Sequence, residues 1–240
     1  MRVLVIGGSG ALGAATCRAL ARRGARLAFT YHRSEARALA LAEELGGARV
    51  AALDLTQLES IASTLSALVE PLGGLDALIY AAGIASTLEP PAFESIEEVD
   101  PAGWDRLMAI GPRGAFFSVR ALLGAFGEAG GNIVLLGSAA GIKPLPAPTP
   151  WTVASSAMAG MARSLAKELG PRGLRVNVVA LGLLERGASE LLPESLRDAF
   201  LRHSALRRLG HEEEVATFVS AFALSNTYVT GRSIAVDGGL

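Results

Sequence analysis

Cysteine, lysine and tyrosine are scarce in this chain, and each scarcity removes a class of explanation. Cys17 is the only cysteine among 240 residues, so no disulfide can close within the chain. Its place in an apolar segment reads as a small buried hydrophobe. No uninterrupted apolar run reaches the roughly 20 residues of a membrane span, although half of the residues are apolar. Neither sign of charge prevails: 22 basic against 23 acidic residues leave a net charge of −1, without the basic footprint that nucleic-acid binding leaves. The chain opens directly on an apolar strand pattern with no signal-peptide layout, so a cytoplasmic protein is expected, with no membrane or nucleic-acid partner. No metal-ligating set is expected. Lys143 and Lys167 are the only lysines, and Tyr31, Tyr80 and Tyr228 the only tyrosines.

Glycine, in contrast, is abundant and concentrated where it matters. Val3-Leu4-Val5-Ile6 reads as a strand buried on both faces, as in a parallel sheet. Gly7, Gly8, Gly10 and Gly13 follow, and Ala14 to Leu20 opens a helix. A strand, a glycine turn and a helix N-terminus in sequence form a phosphate site, because glycine lets the backbone approach a pyrophosphate and the helix end offers free N–H groups. Strand patterns then recur at Leu27–Tyr31, Val50–Asp54, Leu75–Ala81, Ile133–Leu136, Val176–Val179 and Ser233–Val236. Between them lie helix patterns at Ser34–Leu45, Gln57–Val69, Trp104–Phe126, Thr152–Leu169 and Glu212–Ser225, with a loop-and-helix stretch from Leu181 to Gly210. The alternation predicts an α/β fold: a single doubly wound Rossmann domain over residues 1–240, with a seven-stranded, mostly parallel sheet flanked by helices. In such a sheet the ligand lies beyond the carboxyl ends of the strands.

On these residues the chain resembles the short-chain dehydrogenase/reductase family from end to end. Gly7-x-x-x-Ala11-x-Gly13 matches the family's glycine motif, with alanine at its middle glycine. Asp54-Leu55 matches the acidic residue that contacts adenine, and Ala81-Ala82-Gly83 falls on the family's Asn-Ala-Gly. Gly170 to Asn177 and Thr230 to Gly239 match two longer signatures. The resemblance assigns cofactor binding to Gly7, Ser9, Gly10, Leu12, Gly13, His32, Arg33, Ser34, Asp54, Leu55, Ala81, Ala82 and Gly83. Cofactor choice is read at the end of the second strand, where an acid would hold the ribose hydroxyls of NAD and an arginine accommodates a 2′-phosphate. The sequence there is Tyr31-His32-Arg33-Ser34, similar to the loop of NADPH-dependent pteridine reductases. NADP(H) is therefore expected over NAD(H), with Arg33 forming charge-assisted bonds to phosphate.

The resemblance also says where chemistry belongs. In the family a tyrosine donates the proton as hydride passes between nicotinamide and a carbonyl or alcohol. A lysine four residues on, sharing its helix face, lowers the tyrosine pKa, and a serine thirteen residues before it polarises the substrate oxygen. An asparagine on the preceding helix anchors a water. Here Ser138 supplies the serine, whereas Trp151 stands for the tyrosine, Ser155 for the lysine and Gly111 for the asparagine. Neither lysine lies four or seven residues after any tyrosine. Indole N–H is a donor only and cannot shuttle a proton as a phenol with a pKa of about 10 does. Ser138 and Trp151 are thus the catalytic candidates, Ser138 equally readable as a polar end to its strand.

Other departures fall nearby. Ala180-Leu181-Gly182 replaces a Pro-Gly after the sixth strand, and Arg186 stands where the family has a threonine for the carboxamide. Pro144, Pro146, Pro148 and Pro150 stiffen an extended segment bordering the substrate. Lys143 is weighed as an electrophile reaching the catalytic space, and His203 and His211 as substitute acids, His211 reading better as a helix start. Leu191, Leu192, Leu196, Phe200, Leu201 and Leu206 suggest an apolar lid or a packing face. Two functions follow: a carbonyl reductase of 3-oxoacyl or pteridine type with an unusual proton donor, or a non-catalytic relative that senses a nucleotide or assembles with a partner. A small-molecule substrate or nucleotide is the expected ligand. By family analogy the chain forms a homotetramer or dimer, through a surface of Phe116, Phe117, Leu122, Met158, Met161 and Leu165 that could equally face the core.

Overall fold

The computed structural model describes residues 1–83 and 96–240, except for the side chains of Ala188 and Leu191. Seven strands form one sheet: β1 (Arg2–Ile6), β2 (Arg26–Tyr31), β3 (Arg49–Ala52), β4 (Ala77–Tyr80), β5 (Gly131–Ser138), β6 (Leu174–Leu181) and β7 (Ser233–Val236). Their order is β3-β2-β1-β4-β5-β6-β7, and every pairing is parallel. The order reverses between β1 and β4, which opens a crevice at the carboxyl ends of the strands.

The uninterrupted apolar strands have a direct cause. Leu4 and Ile6 join the core on one face, with Leu78, Ile133 and Val176. Val3 and Val5 join the core on the other, with Ile79, Val134 and Val179. Successive side chains point to opposite faces, and both faces are covered, so polar alternation has no place. Helices α3 (Leu58–Val69), α5 (Gly114–Leu122) and α6 (Thr149–Leu169) cover the first face, and α1 (Ala11–Arg22), α2 (Glu35–Glu44) and α8 (Glu212–Ser225) the second.

Two expectations need correction, and one open alternative divides between its two readings. The helix expected over Trp104–Phe126 is broken into α4 (Pro101–Met108) and α5, joined by a wide turn over Ala109–Arg113. Pro112 lacks the N–H that would continue the ladder, and the residue before a proline is pushed out of the α region. Gly111 accordingly sits at φ −74°, ψ −109°. The Gly114 N–H reaches back to Ala109, and the Ile110 carbonyl accepts instead from the buried Tyr80 hydroxyl. A Cβ on Gly114 would lie 2.6 Å from that hydroxyl, so the break, Tyr80 and Gly114 are interlocked. Second, α6 begins at Thr149, so Pro150 is not part of the extended segment but lies in the first helical turn, where its missing N–H costs nothing. Third, of the residues weighed as an assembly surface, Leu122, Met158 and Leu165 are buried in the core, whereas Phe116 is exposed and Phe117 and Met161 are half-buried. Among the described residues, no helix is long and apolar enough to cross a membrane.

Candidate functional site

The glycine turn is pressed between three elements. Gly7 has φ +83°, and a Cβ there would lie 2.8 Å from the backbone of Ala82. A Cβ on Gly13 would lie 2.2 Å from the Gly7 carbonyl oxygen. Side chains are thus excluded where β1, α1 and the exit of β4 converge. The Gly7 N–H is held by the Thr30 hydroxyl at 3.0 Å. At Gly10, by comparison, an added Cβ would meet only the Gly7 oxygen, at 3.5 Å. No side chain caps the N-terminus of α1, leaving its first turn to a ligand with negative charge.

This turn forms one end of a cavity of about 1350 Å³. Every residue assigned to cofactor binding from the sequence lines it: the loop residues, His32, Arg33 and Ser34 beyond β2, Asp54 and Leu55 beyond β3, and Ala81, Ala82 and Gly83 beyond β4. Burial works against the Asp54 carboxylate, but bonds from the Thr56 hydroxyl and amide, with His32 and Arg33 nearby, outweigh it and hold its pKa below the ordinary value. The Ser34 hydroxyl, expected to cap α2, makes no cap bond and accepts instead from Arg37 at 2.5 Å. Arg37, in the first turn of α2, also lines the cavity, a second cation missed in the sequence.

At the far end Ser138, Trp151 and Ser155 line the same cavity. Ser138 closes β5, and its Oγ accepts the Ala140 N–H at 3.2 Å, leaving its own proton free to donate. Trp151 lies in the first turn of α6, and Ser155, one turn on, is buried. The same cavity is lined by α7 (Glu194–His203), which resolves the loop-and-helix stretch. Leu192, Leu196 and Phe200 face the cavity, whereas Leu206 is exposed. The apolar positions therefore split between lid and surface. Gly182 and Arg186 also line it.

The substitute acids separate cleanly. His203 lines the cavity at the end of α7. His211 is the N-cap of α8: its N–H donates to the Glu214 carboxylate at 2.9 Å, its carbonyl accepts the Glu214 N–H at 3.1 Å, and its Nδ1 lies 2.9 Å from Glu185. Tyr80 also lines the cavity, but its phenol is fully buried and its pKa is pushed far up by that burial. Lys143, weighed as an electrophile, is not among the lining residues: its ammonium is bound to Asp237 at 2.6 Å, because a nearly sealed carboxylate needs a counter-charge. Tyr80 and Leu240, which lines the far end, escaped the sequence reading because only the tertiary fold carries them there. Among the described residues, no group of three or more His, Cys, Asp or Glu side chains is placed to hold a metal ion.

Comparison with known proteins agrees with this geometry. A family model described as Enoyl-(Acyl carrier protein) reductase matches residues 8–240. The chain is 32% identical over 238 residues to the 3-alpha-(or 20-beta)-hydroxysteroid dehydrogenase of Mycobacterium tuberculosis, covering 98% of this chain and 87% of that protein. It is 32% identical over 240 residues to the 3-oxoacyl-acyl-carrier-protein reductase of Vibrio cholerae, covering 99% and 96%. A short chain dehydrogenase from Burkholderia cenocepacia, solved in complex with NADP, superposes with a TM-score of 0.88 at 29% identity, covering 99% of this chain and 96% of that one.

Proposed function

Since the chain belongs to the short-chain dehydrogenase/reductase family, we propose that it binds NADP(H) along this cavity and reduces a carbonyl compound without the family's tyrosine, lysine and asparagine. Residues 1–240 serve in this reading as one cofactor-binding domain. The observation that carries it is the continuity of the cavity, from the uncapped α1 N-terminus and Arg33 to Ser138 and Trp151. The glycine turn has the shape such a cofactor requires: closed to side chains at Gly7 and Gly13, open at Gly10. Arg33 and Arg37 supply charge-assisted donors suited to a 2′-phosphate.

When bound, NADPH supplies the hydride. The protein's own residues orient the acceptor and furnish the proton. The Ser138 hydroxyl donates to the substrate oxygen, since Ala140 occupies only an acceptor site of that oxygen. Trp151 Nε1–H orients the substrate but retains its proton. Proton delivery falls to His203, histidine being the residue type that carries and releases a proton near neutral pH, or to water in the cavity. The apolar lining by Pro146, Leu192, Leu196 and Phe200 favours an apolar carbonyl compound. Exposed Phe116 on α5 and Val153 on α6 support assembly of copies as a dimer or tetramer through these helices.

A second reading rests on Trp151 and Ser155 themselves: at the position of the family's tyrosine stands an indole, while the Tyr80 phenol is fully buried and the Tyr31 phenol, beyond β2, donates to Glu35 at 3.1 Å, which favours a relative that binds the nucleotide without turning over. Calorimetric titration with NADPH, followed by NADPH oxidation over aldehydes, ketones, oxoacyl thioesters and pterins, separates the two. Turnover that falls on His203→Gln supports the reductase. Tight binding with no turnover, together with activity gained by Trp151→Tyr combined with Ser155→Lys, supports the non-catalytic relative. Absence of NADPH binding overturns both.

A further inference from the structure

Lys143 begins the proline-rich segment, and its side chain turns to the carboxyl-terminal turn rather than into the cavity. Its Nζ donates to Asp237 Oδ2 at 2.6 Å and to the Leu240 carbonyl. The Asp237 side chain is only 6% exposed, that of Lys143 31%. The second carboxylate oxygen accepts from the Gly239 N–H at 3.0 Å and the Leu240 N–H at 3.4 Å. Burial opposes the Asp237 charge, but the Lys143 bond and these amides outweigh it and hold its pKa below the usual value. The same turn is gripped from its other side by the residues that follow α7. Ser204 Oγ and Leu206 N–H both donate to the Gly238 carbonyl at 3.0 Å, and Ala205 N–H donates to Gly239 at 3.3 Å.

The two segments so joined both line the cavity: Pro144 to Pro148 from the proline-rich segment, Leu196, Phe200 and His203 from α7, and Leu240 from the turn that links them. The proline wall has little of its own to hold it, because alternate residues lack an N–H. Within it, the Leu145 N–H donates back to the Lys143 carbonyl at 2.9 Å, and the Lys143 N–H to the Ala139 carbonyl at 2.9 Å. Among the described residues its backbone bonds thus lie towards its two ends, at α6 and at Lys143.

We propose that Lys143 is a positioning residue for the substrate end: by gripping the turn at Asp237 and Leu240 it locks the proline wall to α7, so one ion pair sets the width of that end and limits it to apolar ligands that fit the gap. This holds whether or not the protein turns over a substrate.

The test compares wild type, Lys143→Met and Lys143→Arg, each as the full chain with and without NADPH. Amide exchange read by mass spectrometry over residues 142–152 and 196–206 is expected to quicken about fivefold in both segments for Lys143→Met, with Lys143→Arg close to wild type. In a Trp104→Phe background, acrylamide quenching of Trp151 is expected to rise about threefold, while the NADPH dissociation constant stays within about twofold. Unchanged exchange, or a change confined to 142–152, overturns the proposal, since a merely local role would not reach α7. An equal loss of NADPH affinity also overturns it, as the sign of a general loosening. Should Lys143→Met fail to fold, Asp237→Asn, which keeps the volume and the amide bonds, must give the same paired increase. Should NADPH not bind at all, the proposed function falls, and exchange and quenching in the nucleotide-free chain still decide this one.

Discussion

The two ends of the cavity are made of different material. At the glycine-turn end the shape is set by backbone: Gly7 against Ala82, Gly13 against Gly7, and the open N-terminus of α1. Arg33, Arg37 and Asp54 bring charge to the lining there. At the end of Ser138 and Trp151 the shape is set by side chains on separate elements, Trp151 on α6, Phe200 on α7 and the prolines after Lys143, joined through Lys143 and the final turn. Backbone contacts of this kind leave no slack, because no rotamer can move aside. Side-chain walls can be re-cut one residue at a time. The comparison explains how a chain of this family keeps its glycine turn while carrying Trp151, Ser155 and Gly111 at positions assigned to chemistry.

Three variants would break or sharpen that contrast. The largest effect is expected at Gly13, where an added Cβ would lie 2.2 Å from a carbonyl oxygen. Overpacking costs about 1–3 kcal/mol, and so close an approach stands at the upper end. Gly13→Ala should therefore weaken NADPH binding about 100-fold by calorimetry, each tenfold being about 1.4 kcal/mol. An unaffected dissociation constant would mean that the turn does not hold the cofactor. Next comes Arg33→Ala, expected to weaken NADPH about tenfold and leave NADH unchanged, as for loss of a charge-assisted bond worth about 1.5–3 kcal/mol. Equal losses for both coenzymes would show a generic cation rather than a reader of the 2′-phosphate. The smallest effect on binding is expected at Tyr80, buried in the cavity lining. Tyr80→Phe strands the Ile110 carbonyl at the helix break, costing about 1–3 kcal/mol. For a chain of this size each kcal/mol lowers the melting temperature by about 2–4 °C. Affinity for NADPH should change little; a parallel loss would tie the helix break to the glycine-turn end.

Much of this was legible beforehand, for identifiable reasons. Strands buried on both faces, such as Val3 to Ile6, announce themselves as apolar runs, and the glycine turn follows β1 with no intervening residue. The Gly111-Pro112 pair was in plain sight, yet the helical pattern on either side of it masked the break. Its consequence, a carbonyl served by Tyr80 thirty residues away, has no local signal at all. Arg37 had a weak signal, its place in the first turn of the helix that follows Arg33, but a helix face bearing charges usually reads as solvated. His211 was legible as a helix start, from the acidic run that follows it. What the fold added is that His203, at the end of α7, lines the cavity, and that Glu185 and Glu214 engage His211.

The residues after each strand were determined by sequence alone, because a parallel sheet delivers all its carboxyl ends to one edge and the glycine turn marks which edge. The family resemblance, laid on the sequence, likewise implied which residues stand at the positions of chemistry: Trp151, Ser155 and Gly111. What tertiary structure decided is which distant groups meet. Lys143 was a loop lysine until the final turn came alongside it. It proved to be the partner of Asp237, 94 residues on, because a carboxylate sealed from water must find a cation wherever the fold can bring one.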